Sequence, residues 1–133
     1  MITVRISVGP SDIHGLGCIA EENISTGQMV WRFEPGFDLA LSQAQIDSLS
    51  PGSRENVLRY AYVSKLTGDY VLCSDDSKFT NHSTAPNVKC LIPEGATGNE
   101  LVCYAVRDIP AGEEITNDYR DFDRSPDDVS EVD

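Results

Sequence analysis

The chain has 133 residues, 40% of them hydrophobic, and sets 22 acidic side chains against 10 basic ones, for a formal charge of −12. That length and apolar content suit one domain with a real core and exclude wholesale disorder. With its bases scattered singly, the chain lacks the basic stripe of a nucleic-acid binder and is poorly suited to an anionic membrane surface. A basic partner, or a role in solubility alone, fits the charge better.

In chain order, Ile2, Val4, Ile6 and Val8 alternate with polar residues and predict a half-buried first strand. Gly9-Pro10-Ser11-Asp12 ends it in a turn. A short strand from Gly17 to Ala20 follows the turn His14-Gly15-Leu16-Gly17, and Ser25-Thr26-Gly27 feeds another from Met29 to Phe33. Pro35-Gly36 breaks that run. From Ser42 to about Tyr62 the pattern is helical, with Ser50 as N-cap, Pro51 at the first helical position, and Val57, Leu58, Ala61 and Tyr62 on one face. Strands return at Tyr70 to Cys73, Val88 to Ile92 and Leu101 to Val106, the last two joined by a polar hairpin loop. The turn Ile109-Pro110-Ala111-Gly112 precedes a strand from Glu114 to Thr116.

From Glu113 to the end there are nine acids and two bases. Residues 1–124 are therefore expected to form one mainly β domain with a helical insert at about 42–62. Residues 125–133 are expected to be an acidic, disordered tail. No internal repeat stands out.

No apolar run approaches the ~18–20 residues needed to span a bilayer. The start, Met1 to Ile6, lacks the pattern of a secretory signal. Cys18, Cys73, Cys90 and Cys103 show no CxxC spacing, and each sits in an apolar stretch. They read as free buried thiols in a reducing compartment, with no metal site expected and the cytoplasm as the simplest location.

Three segments carry the functional signal. Gly15-Leu16-Gly17 places two permissive residues where backbone can approach a ligand closely. Lys78-Phe79-Thr80-Asn81-His82-Ser83-Thr84-Ala85-Pro86-Asn87 packs hydrogen-bonding side chains between a strand and a proline turn, without apolar periodicity. Gly112-Glu113-Glu114-Ile115-Thr116-Asn117-Asp118-Tyr119 ends a strand on a tyrosine beside an aspartate. Alone, each also reads as ordinary turn or packing chemistry.

Together and in this order they resemble the SET-domain family of protein-lysine methyltransferases. That family's pattern runs from Gly-x-Gly through Arg-Phe-x-Asn-His-Ser-x-x-Pro-Asn to Gly-Glu-Glu-Leu-x-x-Asp-Tyr. The resemblance spans roughly Arg5 to Phe122. It implies a β-clip of several short curved sheets, with a pseudoknot-like crossing of the Asn-His-Ser and Asp-Tyr segments and a small helical insert. It also implies S-adenosylmethionine as cofactor and a lysine in a basic protein or peptide as substrate, with no direct contact to nucleic acid or membrane.

By the same resemblance, Leu16 and Gly17 flank the methionine part of the cofactor and Asn81 hydrogen-bonds it. The backbone of His82 meets the adenine, and its imidazole is structural. Tyr119 orients the lysine amine. Phe122 stacks on adenine, closes the channel or simply packs. Asn117, Asp118 and Tyr70 are candidates for the substrate channel; among Tyr60, Tyr62 and Tyr70 one is expected to line it, with core packing the alternative reading for each.

The chain departs from the pattern at Lys78 (usually Arg), Thr84 (usually Cys) and Asn117. Family members commonly carry Phe or Tyr at the last of these, and that choice limits how many methyls are added. No cysteine follows Cys103, so a cysteine-rich closing segment is not expected. Closure falls to Tyr119 to Arg124 or to a second copy in a homodimer. Asp75, Asp76, Asp118, Asp121 and Asp123 are expected either to attract a basic substrate or to form a solvated surface. The alternative function is a catalytically weak or inactive module that binds a basic protein; a cysteine hydrolase is the remote third reading.

Overall fold

In the computed structural model, residues 1–124 are described, and the expected tail at 125–133 lies outside them. Ten short strands form: β1 (Ile6–Pro10), β2 (Leu16–Ala20), β3 (Met29–Arg32), β4 (Asp38–Leu41), β5 (Tyr62–Val63), β6 (Tyr70–Cys73), β7 (Asn81–His82), β8 (Val88–Leu91), β9 (Val102–Ala105) and β10 (Glu114–Asn117). Two helices, α1 (Gln43–Asp47) and α2 (Pro51–Tyr60), fall between β4 and β5. The expected mainly β architecture is what forms.

A seven-stranded sheet runs β1-β2-β10-β8-β9-β3, with β7 branching from β10; β4-β6-β5 form a separate small sheet. Strand β10 is the junction. It pairs antiparallel with β2, but parallel with β7 and β8, setting Thr116 opposite Asn81 and Asn117 opposite His82. Two motifs separated by about thirty residues of chain thereby become neighbours. Their side chains rest on a core of Val30, Trp31, Val88, Ile109, Ile115 and other buried apolar residues.

Several sequence expectations are corrected. The first strand begins at Ile6, not Ile2, because Ile2 makes an isolated bridge to Trp31 and Thr3 N–H donates to Val30 O at 2.8 Å. The helical insert is two helices, each with its own serine cap: Ser42 in a capping box with Gln45, and Ser50 ahead of Pro51. A residue before proline is pushed out of helical geometry, which separates them. Helix α2 buries no residue, and Ala61 is extended, so Tyr62 leaves the proposed helical face for β5. Strands β4 and β7 were not expected; each takes its form from a partner strand distant in sequence.

Free thiols at all four cysteines are also corrected. Cys90 and Cys103 sit directly opposite on β8 and β9 and are joined in a disulfide, with Cα atoms 4.0 Å apart. Cys18 and Cys73 are free. Burial raises the thiol pKa of both, that of Cys73 to about 11.

Candidate active site

Tyr119 opens the turn that follows β10, and it is held at both ends. Its backbone N–H donates to Nδ1 of the buried His82 at 3.0 Å, and its hydroxyl donates to the Thr80 carbonyl at 2.5 Å. Nδ1 of His82 is therefore an acceptor, and the imidazole supports Tyr119. The two rings pack with centroids 5.2 Å apart. Asp118 caps the turn, accepting Arg120 N–H at 2.9 Å and pairing with its guanidinium at 2.6 Å. The Arg120 side chain, foremost among several hydrogen bonds, holds the Asp118 carboxyl down at about 2.

On the β2 side, acceptors converge on one nitrogen. Asn81 Nδ2 lies 2.8 Å from Glu114 Oε2, 3.0 Å from Leu16 O and Ser11 Oγ, and 3.1 Å from His14 O. A β-carbon on Gly17 would stand 2.4 Å from Glu114 Oε2 and 3.2 Å from Asn81 Nδ2. The Glu114 carboxylate is thus the nearest neighbour of the space that the missing β-carbon leaves at Gly17. Leu16 itself is half exposed.

A cavity of about 480 Å³ opens on the other side of the site, walled by Tyr60, Tyr62, Tyr70, Asn117, Tyr119 and Phe122. Phe122 is buried, meeting Tyr62 edge-on at 4.9 Å and Tyr119 at 5.8 Å. The Tyr70 hydroxyl donates to Gln43 Oε1 at 2.9 Å. Asn117 Oδ1 is buried without a hydrogen-bond partner among the described residues, and its Nδ2 stands 4.0 Å from Cys90 Sγ. Lys78 reaches the same wall, with Nζ 5.8 Å from the Tyr60 ring centroid and 5.6 Å from that of Phe79.

The segment after Asp118 docks on β5 and the residues that follow it. Arg124 N–H donates to Val63 O at 2.9 Å, Val63 N–H donates to Asp123 Oδ1 at 3.2 Å, and Lys65 Nζ donates to the Arg120 carbonyl. One side of the cavity is thereby closed by residues of the same chain.

Of the residues singled out from sequence, the cavity gathers Tyr119, Phe122, Asn117, Tyr70, Tyr60 and Tyr62. Leu16, Gly17, Asn81, His82 and Asp118 are not among its lining residues. Three residues in contact with this machinery were not singled out: Thr80, Ser11 and Glu114. Glu114 lay in plain view in Gly112-Glu113-Glu114, but only the fold shows which glutamate turns inward. The five aspartates offered for substrate attraction are mostly engaged at home. Asp75 accepts from Ile2 N–H at 2.8 Å and from Ser77, Asp121 pairs with Lys89 and accepts from Cys90 N–H, and Asp118 and Asp123 hold the closing segment.

A sequence profile of the SET domain matches residues 15–120, from the Gly-x-Gly turn to the residue after Tyr119. The chain belongs to the SET-domain family. The Schizosaccharomyces pombe histone-lysine N-methyltransferase, H3 lysine-4 specific, is 31% identical over 120 residues, covering 87% of this chain and 13% of that protein. Human histone-lysine N-methyltransferase 2B is 30% identical over 127 residues, covering 86% of this chain and 4% of that one. This SET domain thus spans a small part of the relatives' length.

Among solved structures, the fold matches a Chaetomium thermophilum Polycomb Repressive Complex 2 chain carrying humanizing mutations. Its TM-score is 0.66 at 24% identity, over 93% of this chain and 16% of that one. A Plasmodium falciparum chain provisionally assigned as a histone methyltransferase has a TM-score of 0.61 at 21% identity, over 89% and 95%. Lysine methyl transfer is the class of chemistry that the family and its named relatives support.

The residues at the Gly-x-Gly turn fit the family's cofactor. Asn81 Nδ2 is taken up by Glu114 Oε2 and the Leu16 and His14 carbonyls, which leaves Asn81 Oδ1 as an acceptor suited to the cationic amino end of S-adenosylmethionine.

Proposed function

We propose that this SET domain transfers a methyl group from S-adenosylmethionine to the side-chain amine of a lysine in a protein substrate. When bound, the cofactor supplies a methyl on a positively charged sulfur. The reading rests on one arrangement: Tyr119 is bonded to His82 and Thr80, the two chain neighbours of Asn81, and also lines the aromatic cavity. Leu16, Gly17, Asn81 and the His82 backbone serve the cofactor side. Tyr119, Tyr70, Asn117 and Phe122 serve the lysine side.

No side chain is needed as nucleophile, because the lysine nitrogen attacks in line. The chain contributes positioning and exclusion of water. Removal from water in the cavity disfavours an ammonium and favours the neutral amine that attacks. The Tyr119 hydroxyl donates its proton to Thr80 O, which orients its oxygen as an acceptor for that amine.

The chain's acidity supports a basic substrate segment, although most aspartates near the site also hold the chain's own backbone. Incubation with labelled S-adenosylmethionine and a panel of basic proteins tests the proposal. Label should enter lysine. A protein that binds the cofactor yet labels no substrate would instead support a binding module on the same fold.

A further inference from the structure

We propose that Glu114 is a positioning residue for the cofactor site, setting which end of the Asn81 amide faces the ligand. The inference rests on the reading that S-adenosylmethionine binds beside Asn81.

The geometry begins at Ser11. Its oxygen lies 2.9 Å from Ile13 N and 3.2 Å from His14 N, accepting both, which turns its own proton toward Glu114; the two carboxylate oxygens stand at 2.7 and 2.9 Å. So anchored, Oε2 reaches Asn81 Nδ2 at 2.8 Å, the shortest of that nitrogen's four contacts. It is also the only one made to a carboxylate, and charge-assisted bonds exceed neutral ones.

An amide nitrogen carries two hydrogens and accepts nothing. With Glu114 Oε2 and the Leu16 and His14 carbonyls around it, Nδ2 must point inward, and Oδ1 stands outside the cluster, presented to a ligand as an acceptor. The opposite orientation would set Oδ1 against a carboxylate and two carbonyls. Gly17 belongs to the same device. Without a β-carbon it lets the carboxylate lie flat on β2; with one, the Glu114 side chain would have to move. Glu114 thus joins the 11–17 loop to β7 through one carboxylate. It makes no contact with the cavity that takes the lysine.

The test measures the dissociation constant for S-adenosylhomocysteine by calorimetry and the steady-state KM for S-adenosylmethionine, in wild type and Glu114→Gln. The variant keeps the side chain's size but removes its charge and puts a donor among the acceptors. A positioning role predicts that affinity weakens fivefold or more, that KM for the cofactor rises in parallel, and that kcat at saturating cofactor stays within threefold. A change in affinity below fivefold overturns the proposal, as does a loss confined to kcat.

If Glu114→Gln does not fold, Ser11→Ala takes its place. It removes the hydroxyl that anchors the carboxylate and should weaken binding threefold or more; a smaller effect overturns the proposal. Wild type that binds neither compound would refute the cofactor reading itself, and this inference with it.

Discussion

The Tyr119 hydroxyl donates to the Thr80 carbonyl at 2.5 Å, tying the last motif of the chain to the residue just before Asn81. Tyr119→Phe removes that bond and the hydroxyl proposed to orient the amine, while the ring still packs on His82. Turnover should fall about 100-fold or more, the scale seen when a group aimed at the reacting atoms is removed. Stability should fall by only about 1 kcal/mol, and cofactor affinity should change little. Single-turnover kinetics beside calorimetry would separate these effects. A parallel loss of cofactor binding would place Tyr119 elsewhere in the mechanism.

Phe122 fills the angle between Tyr62 and Tyr119 and carries the closing segment onto β5. Phe122→Ala should cost about 3–4 kcal/mol, as expected for deleting a buried aromatic side chain. Turnover should drop as well, because water would enter beside Tyr119. Urea unfolding and initial rates measured on the same preparation check both effects.

The Cys90–Cys103 disulfide closes a loop with a sequence separation of 13, in the cavity wall beside Asn117. Alkylation of denatured, unreduced protein should label Cys18 and Cys73 only, and prior reduction should expose all four cysteines. Loss of the cross-link should lower stability by about 2–3 kcal/mol on the chain-entropy account. Mass spectrometry and urea unfolding with and without reductant provide the readouts.

Asp118 has its carboxyl held at about 2 in the folded chain, chiefly by Arg120. In the unfolded chain it should titrate near the usual value of about 3.9. A depressed folded pKa gives stability that is fully present above the unfolded value and is lost as pH falls through the folded one. Wild type should therefore exceed Asp118→Asn in stability above about pH 4, with the charge-dependent part of the difference narrowing as pH falls through about 2 and gone only near pH 1. Unfolding curves at stepped pH test this, and a gap that does not narrow between about pH 4 and pH 1 would assign it to something other than charge.

Local pattern determined a good deal. Short apolar runs bounded by Gly and Pro marked most strands, because a strand at the edge of a core shows its boundaries in its own residues. Ser50-Pro51 marked a helix start for the same local reason. The three motifs named the family, and with it Asn81, His82 and Tyr119, since each motif is contiguous in sequence.

Tertiary structure decided what depends on partners far along the chain. The two-residue strand β7 exists because β10 pairs with it, and no propensity within Asn81-His82 could announce that. Cys90 meets Cys103 through the register of a hairpin that spacing alone left open. Gly17 leaves room for the Glu114 carboxylate, and four of the five aspartates, Asp75, Asp118, Asp121 and Asp123, accept from the chain's own backbone. Such roles rest on which groups meet in space, and an acidic residue looks the same in a sequence whether it faces a substrate or an amide of its own chain.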